Sequence, residues 1–297
     1  MLRWYLNTEA WTPSSDEFEF LLNLINEEDQ RQVRKFIHEA DQKRALASRL
    51  LQRACVRLIC KCSDSGVQIM RTKGGKPFTL NQKPKAAPNF NFNVSHEGDY
   101  TALAAEPYCL CGIDVAAPLR ARRPSGKQSL HQIINTMKGQ FHTLEWSCIQ
   151  SYAQREDMME DCFLRHWSLK EAYVKARGDG LGFEPLSRAA FTFEDDDSIL
   201  ARYATVAVDG VMLNGWRFEI QRLGDKHWVT VARGPPQDIV DAYGVFKSTF
   251  GQKHCDASAM QEHLHDTPPH FTEMNVCDLI PDDTLSAYDA VHHKGKL

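Results

Sequence analysis

The sequence lacks several features that would indicate other classes of protein. No apolar run approaches the roughly 20 residues of a membrane-spanning helix, so we expect no membrane partner. Basic residues are not in excess: 35 Lys and Arg stand against 39 Asp and Glu, and the net charge of -4 gives no reason to expect nucleic acid as a partner. Residues 1–7 lack the pattern of a secretory signal. No P-loop or kinase signature occurs, which argues against those classes of phosphoryl transferase.

The nine cysteines give no sign of a disulfide framework, since they are odd in number and scattered along the chain. This distribution favours reduced thiols in the cytosol. Cys60 with Cys62, and Cys109 with Cys111, form two C-x-C pairs, whereas zinc ligands are typically separated by two to four residues. We expect these cysteines to be small buried apolar side chains.

The order of predicted elements indicates an α+β fold. A hydrophobic content of 42% over 297 residues is sufficient for one large domain or two smaller ones. Apolar periodicity predicts a helix over 43–60, a hairpin over 90–105, a helical region over 130–175 and four strands between 188 and 232. Helices precede strands in each half, which favours α+β over regular βαβ winding.

We place the domain boundaries after residues 108 and 234. Residues 1–108 are the first α+β subdomain, and residues 109–234 are the second, which carries the candidate metal site. Residues 235–297 show little periodicity and contain six histidines near their end. Of these, His263 and His265 are candidate metal ligands, but their spacing matches no known ligand pattern. We therefore expect a divergent, partly disordered tail.

Two acidic residues carry the strongest chemical signal. Asp114 follows an apolar, strand-like run, and Glu171 precedes Lys175 by four residues, so that these two share a helix face. A surface ion pair is the ordinary explanation of such a Glu–Lys pair. Trp167 and Val174 indicate that this helix is partly buried, and a buried Glu and Lys need partners. Two carboxylates beside a cation suit Mg²⁺ held against a substrate phosphate.

A basic turn is a second candidate phosphate site. The segment Arg71-Thr72-Lys73-Gly74-Gly75-Lys76-Pro77 offers three cations and two glycines whose amides suit a phosphate. An exposed basic loop is the alternative interpretation. The segment Asn93-Val94-Ser95-His96 adds further donors beside a predicted turn at 97–99, although a histidine at such a position often has only a structural role.

Four segments taken together resemble one family. They read R-x-K-G-G-K-P, F-N-V-S-H, G-I-D-V and W-S-x-K-E-A-x-x-K, and they occur in this order. The chain resembles the 4′-phosphopantetheinyl transferase superfamily in its larger two-domain form, and within it the eukaryotic group associated with aminoadipate-semialdehyde dehydrogenase. The resemblance covers about residues 1–234. It implies a monomer with two similar, pseudo-twofold-related α+β halves, and with coenzyme A and Mg²⁺ in the cleft between them.

The resemblance also implies residue roles. Asp114 and Glu171 match the Mg²⁺ ligands, and together with Lys175 they match the catalytic residues. The residues that match coenzyme A contacts are Arg31, Arg71, Lys73, Gly75, Lys76, Asn93, Ser95, His96, Asp114, Glu171 and Lys175. Arg34 is an alternative to Arg31. Many bacterial relatives have a second acid where this chain has Ala116, so a water would complete the metal shell.

The implied reaction transfers the phosphopantetheine arm of coenzyme A to a serine of an apo carrier protein and releases adenosine 3′,5′-bisphosphate. Either Glu171 or a metal-bound water takes the serine proton. The target carriers stay open: a fatty-acid synthase, an aminoadipate-pathway enzyme, a mitochondrial carrier protein or several of these. A basic loop at Arg120, Arg122, Arg123 and Lys127 is a candidate docking surface for an acidic carrier helix, or simply a solvated loop. The alternative function is a non-catalytic module that binds coenzyme A or carrier domains.

Overall fold

The computed structural model of the chain describes residues 1–119, 129–194, 201–251 and 257–294. The basic loop predicted at 120–127 lies outside them. Helices in the described residues are α1 (Ser15–Leu22), α2 (Glu27–Arg34), α3 (Glu39–Cys60), α4 (Leu130–Thr136), α5 (Thr143–Ser151), α6 (Glu156–Arg177), α7 (Val245–Ser248), α8 (Ala257–His265) and α9 (Leu285–Lys294). Strands are β1 (Leu2–Asn7), β2 (Ile69–Arg71), β3 (Pro77–Thr79), β4 (Asn91–Glu97), β5 (Tyr100–Glu106), β6 (Leu110–Ala116), β7 (Ala189–Phe193), β8 (Tyr203–Val208), β9 (Val211–Met212), β10 (Arg217–Leu223), β11 (His227–Gly234) and β12 (Thr272–Glu273).

The strands form two main sheets, and β12 from the C-terminal segment joins the first of them. The first sheet has the order β12-β1-β5-β4, and the second has the order β6-β11-β10-β8-β7 with β9 beside β8. A separate hairpin joins β2 to β3. Apart from the parallel β1–β12 pair, the neighbouring strands are antiparallel. The predicted α+β class is confirmed.

A helix of 22 residues packs on each sheet. Helix α3 lies against β4 and β5, and helix α6 lies against β6 and β11. Apolar residues three and four apart give α3 its buried face, which includes Leu46, Leu50 and Leu51. Helix α6 approaches β6 so closely at Gly112 that a Cβ there would lie 2.1 Å from the carbonyl oxygen of Ala172. Glycine at this position therefore sets the spacing between α6 and β6.

The two sheets meet along β4 and β6 through side chains. Alternate side chains of β4 accept hydrogen bonds from alternate main-chain amides of β6 and the residue after it. The four bonds run from Cys111 to Asn91 Oδ1 (2.9 Å), from Ile113 to Asn93 Oδ1 (3.0 Å), from Val115 to Ser95 Oγ (3.1 Å) and from Ala117 to Glu97 Oε2 (3.0 Å). This side-chain ladder explains why a run of polar residues is buried between the halves.

The described part of the segment after residue 234 packs onto both halves. Strand β12 pairs with β1, and Val276, Leu279 and Tyr288 are buried in the core of the first half. The hydroxyl of Tyr288 donates to Oε1 of the buried Glu17 at 2.8 Å. Phe246 and Phe250 join the core of the second half. The sequence alone did not indicate this packing, because the apolar residues form only short groups, such as Phe246 with Phe250 and Val276 with Leu279, and these do not extend into a long periodic run.

Cys55, Cys60, Cys62, Cys111, Cys162 and Cys277 are free thiols. Cys109 and Cys111 are fully buried on β6 or next to it, as their apolar interpretation predicted. His263 stacks on Tyr108 with ring centroids 4.0 Å apart, and His265 contacts Arg217, so both histidines have protein partners. Within the described ranges, no helix is both long and apolar enough to cross a bilayer.

Candidate active site

A cavity of about 1050 Å³ lies between the two halves. Its walls come from α3, the turn between β2 and β3, β4, α6, the segment 178–186 after α6, and the tail residues Val240 and Ala242. Eight of the residues predicted to contact coenzyme A, magnesium or both line it: Arg71, Lys73, Gly75, Lys76, Asn93, His96, Glu171 and Lys175. Segments far apart in sequence therefore converge on one space.

Asp114 and Lys175 form an ion pair beside this cavity. Lys175 Nζ lies 2.5 Å from Asp114 Oδ1 and 3.0 Å from Ser95 Oγ. The Ser95 hydroxyl donates to the same Asp114 oxygen at 3.2 Å. The Asp114 side chain is 7% exposed and that of Lys175 is 31% exposed. Sequence analysis predicted all three as site residues, and they lie in direct contact.

Glu171 lies one helical turn before Lys175 on α6 and lines the cavity. Its position follows from the packing of α6 on β6, because the backbone contact at Gly112 brings this helix face beside Asp114. Trp167, a further turn back, extends the same wall. The motif W-S-x-K-E-A-x-x-K therefore places its Trp, its Glu and its second Lys along one side of the cavity. Its first lysine, Lys170, is buried instead and pairs with Glu145 at 2.7 Å.

The basic turn forms a further part of the cavity wall, next to the end of α6. Gly75 has a φ of +85°, a conformation that favours glycine. A Cβ on Gly74 would lie 2.1 Å from the carbonyl oxygen of Gly178, so the turn rests directly on the end of α6. Both glycines are therefore needed for the backbone path of the turn. Arg71 and Lys73 line the cavity from this position.

Lys76 differs from the other cations of the turn. Its ammonium donates to the carbonyl oxygens of Cys111 (2.5 Å) and Lys175 (3.2 Å), which ties β6 to the end of α6. Only 4% of the residue is exposed, and this burial lowers its pKa to about 8. Its ammonium thus binds protein carbonyls, while the rest of the side chain contributes to the cavity wall.

His96 lines the same cavity, close to several cations. Desolvation by the neighbouring protein, followed by the charges of Lys175, Arg44 and Arg49, lowers its pKa to about 4, although part of the side chain is exposed to solvent. The imidazole is therefore neutral at neutral pH, and a bound anion would favour its protonation. Asn93 also lines the cavity, although its Oδ1 is occupied in the side-chain ladder.

Arg31 does not line the cavity. Its side chain is 63% exposed and pairs with Glu28 at 2.9 Å and Glu27 at 3.7 Å on the surface of α2. Arg34, the alternative, pairs with Glu19. Among the helices of this half, α3 contributes Arg49 to the cavity lining, and sequence analysis did not single out this residue. Its position in a regular amphipathic helix gives no local signal of a binding role.

The acidic residues suit magnesium by their chemistry. The described residues contain no group of three or more His, Cys, Asp and Glu side chains arranged for a metal. Magnesium, however, is commonly bound by one or two carboxylates together with substrate phosphates and waters. Asp114 and Glu171 provide such a pair, and the described contacts of the Asp114 carboxylate, from Lys175 and Ser95, both use Oδ1. The site already holds a positive charge against Asp114.

The fold and the site together define a two-half α+β protein with a phosphate-compatible cleft between the halves. Two family profiles match the chain: "4′-phosphopantetheinyl transferase, N-terminal" over residues 9–108 and "4′-phosphopantetheinyl transferase superfamily" over residues 110–232. The chain belongs to the 4′-phosphopantetheinyl transferase superfamily, as its motifs predicted.

Curated relatives span both animals and microorganisms. The rat L-aminoadipate-semialdehyde dehydrogenase-phosphopantetheinyl transferase is 33% identical over 282 residues, which cover 94% of this chain and 85% of the relative. A phosphopantetheinyl transferase from a Thraustochytrium species is 34% identical over 232 residues, covering 77% of each chain. The 4′-phosphopantetheinyl transferase of Bacillus subtilis is 26% identical over 186 residues, which cover 63% of this chain and 74% of the relative.

Proposed function

We propose that this protein transfers the 4′-phosphopantetheine arm of coenzyme A to a serine of apo acyl or peptidyl carrier domains, with Mg²⁺ as cofactor and adenosine 3′,5′-bisphosphate as the second product. One observation carries the proposal. The Asp114–Lys175 ion pair lies beside a cavity that is lined by Glu171, by Lys175 itself and by the basic turn. The cavity and its edge therefore bring together carboxylates and cations that suit both the pyrophosphate and the 3′-phosphate of coenzyme A.

The bond changes follow from the chemistry of the two substrates. The carrier serine oxygen forms a bond to the β-phosphorus of coenzyme A, and the bond from that phosphorus to the bridging oxygen breaks. The pyrophosphate bond electrons leave with adenosine 3′,5′-bisphosphate, and the serine proton passes to a base. Because charge develops on the phosphoryl oxygens and the leaving group, fixed positive charge and positioning supply most of the catalysis.

Different residues of the chain have different roles in this reaction. Glu171 lines the cavity and is the candidate base, with a water as the alternative. Lys175 stabilises the departing phosphate from a position that Asp114 and Ser95 hold. Arg71, Lys73 and His96 contact the 3′-phosphate. Asp114 and Glu171 would hold the Mg²⁺, which would neutralise negative charge of the substrate phosphates.

Transfer to a carrier tests the proposal directly. The full chain is incubated with coenzyme A, Mg²⁺ and several apo carrier proteins, and the carrier is analysed by intact mass. A mass gain of one phosphopantetheine arm, abolished by a serine-to-alanine carrier and by EDTA, is the expected result. Binding of coenzyme A without transfer to any carrier would favour a non-catalytic binding module instead.

The chain is proposed to act as a monomer in the cytosol. Both walls of the cavity come from one chain, so a second copy is not needed to complete the site. Free thiols at six cysteines, Cys55, Cys60, Cys62, Cys111, Cys162 and Cys277, suit a reducing compartment. Light scattering of the purified protein and imaging of a tagged chain test these two points. A fatty-acid synthase, an aminoadipate-pathway enzyme and a mitochondrial carrier protein are the candidate acceptors for the transfer assay.

A further inference from the structure

We propose that Arg49 is a further coenzyme-binding residue, oriented by Asp29, and that its guanidinium contacts the 3′-phosphate of coenzyme A. The inference rests on the proposed function, which places coenzyme A in the cavity. Arg49 belongs to α3, and its sequence context gives no sign of ligand binding.

The geometry of Arg49 fits a ligand contact. Its side chain is only 17% exposed, and it lines the cavity rather than the outer surface of α3. Nε of Arg49 donates to Oδ1 of Asp29 at 3.2 Å. A guanidinium has five N–H donors in a fixed plane, so a contact made through Nε leaves the other nitrogens able to form a bidentate bond to phosphate.

Asp29 is placed to orient two arginines. Its Oδ1 lies 3.2 Å from Arg49 Nε and 4.0 Å from Arg71 Nη2. The other oxygen, Oδ2, accepts a hydrogen bond from Asn26 Nδ2 at 2.9 Å, at the start of α2. The carboxylate is thus fixed by its own helix and holds Arg49 and Arg71 on the same side of the cavity. Asp29 is accordingly a positioning residue.

The positive charges around Arg49 favour the binding of an anion. Asp29 provides one negative charge for two guanidinium groups. Desolvation and the charge of Arg49 lower the pKa of both Arg71 and His96, so the positive potential of Arg49 reaches both side chains. A phosphate monoester, which carries close to two negative charges at neutral pH, relieves this repulsion.

Coenzyme A has two phosphate groups of different kinds, and the cavity has two cation groups. Lys175 belongs to the first, where the Asp114 carboxylate marks the reacting end. Arg49 and Arg71 belong to the second and share Asp29 instead. If Lys175 meets the pyrophosphate, the 3′-phosphate is the group left for the arginines. This assignment makes Arg49 a determinant of the preference for coenzyme A over 3′-dephospho-coenzyme A.

The test compares these two coenzymes in wild type, Arg49→Gln, Arg49→Lys and a control. Arg53→Gln is the matched control because Arg53 lies one turn later on α3, is 14% exposed and is bonded to Asp64 outside the cavity. Since a charge-assisted hydrogen bond contributes about 1.5–3 kcal/mol, Arg49→Gln is expected to raise the KM for coenzyme A by about 10- to 100-fold. The KM of Arg49→Gln for dephospho-coenzyme A should stay within about twofold of the wild-type value. For coenzyme A, the KM of Arg49→Lys should lie between those of the wild type and Arg49→Gln.

Other results would overturn the inference. Equal losses for both coenzymes in Arg49→Gln, or no loss for either, would show that Arg49 does not read the 3′-phosphate. A wild type that transfers the arm equally well from both coenzymes would also refute it while leaving the transferase function intact. If the wild type transferred no arm, calorimetric binding of adenosine 3′,5′-bisphosphate to wild type and Arg49→Gln would still decide the role of Arg49. Asp29→Asn should reduce the coenzyme preference in the same direction.

Discussion

The ammonium of Lys175 lies 2.5 Å from Oδ1 of Asp114, so the last turn of α6 is joined to β6 by an ion pair beside the cavity. The two residues are far apart in the sequence, and their contact depends on the close packing of α6 on β6. The pair also keeps the lysine nitrogen at a fixed position before a substrate binds, which reduces the reorganisation needed during the reaction.

Replacement of Lys175 by Met is expected to lower phosphopantetheine transfer by about 100-fold or more, as loss of a single charge-stabilising donor does in other enzymes. The Asp114 carboxylate keeps its hydrogen bond from Ser95, so the fold should persist. Turnover with saturating coenzyme A and carrier measures the effect. Lys85→Met, which removes an exposed lysine, is the control for the charge change. Turnover of Lys175→Met within tenfold of wild type would contradict the assigned role.

Lys170 should respond differently, although it lies on the same helix. Its side chain and that of Glu145 are both 0% exposed, and its ammonium also donates to the carbonyl oxygen of Ala189 at 2.6 Å. Lys170→Met leaves the Glu145 charge buried without its partner, so the free energy of unfolding should fall by about 3–5 kcal/mol. Urea denaturation measures this fall. The double variant Lys170→Met with Glu145→Gln should recover part of it, and equal stability of wild type and Lys170→Met would disprove the account.

Gly112→Ala tests the contact between α6 and β6. The added Cβ would lie 2.1 Å from the carbonyl oxygen of Ala172, so α6 must shift, and we expect a loss of about 3 kcal/mol or more in unfolding free energy. Transfer activity should fall as well, because Glu171 and Lys175 move with the helix. Gly139→Ala is the matched control, since a Cβ there meets nothing within 4 Å. A Gly112→Ala protein as stable and active as the control would show that the spacing is not critical.

His166 should make the protein sensitive to acid. The residue is 2% exposed, and this burial lowers its pKa to about 4, below its ordinary value near 6.5. Between these two values the unfolded chain binds the proton and the folded chain does not, so stability rises with pH through this window and is lost as pH falls toward 4. The contribution amounts to on the order of 3 kcal/mol.

Denaturation curves between pH 4 and pH 7 check this prediction. His166→Gln should show a smaller fall in unfolding free energy across that range than the wild type. His38→Gln serves as the control because His38 is exposed. A pH dependence that is identical in wild type and His166→Gln would exclude the buried imidazole as its source.

The sequence predicted local features well where a regular period or a motif carried the information. Helix α3 and the β4–β5 hairpin follow from apolar spacing, and the motif at 167–175 placed Glu171 and Lys175 on one helix face. Long-range contacts had no such signal. Arg49 reads as one more polar position of an amphipathic helix, and only the tertiary fold shows that it faces the cavity.

The segment after residue 234 shows the same limit. Its apolar residues form only short groups, so local periodicity does not predict that Tyr288 is buried or that β12 pairs with β1. Lys76 is a further case. Its place in a basic turn indicated a phosphate contact, yet its ammonium binds the carbonyl oxygens of Cys111 and Lys175.

The side-chain ladder between β4 and β6 has a consequence for how this architecture can diverge. Main-chain hydrogen bonds between two strands persist whatever the side chains are, whereas each rung here is lost or altered by one codon change at Asn91, Asn93, Ser95 or Glu97. The hydrogen bonds that join the two halves can therefore be changed one at a time by mutation. Substitutions at these four positions can alter the contact between the two sheets while each sheet keeps its own main-chain pairing.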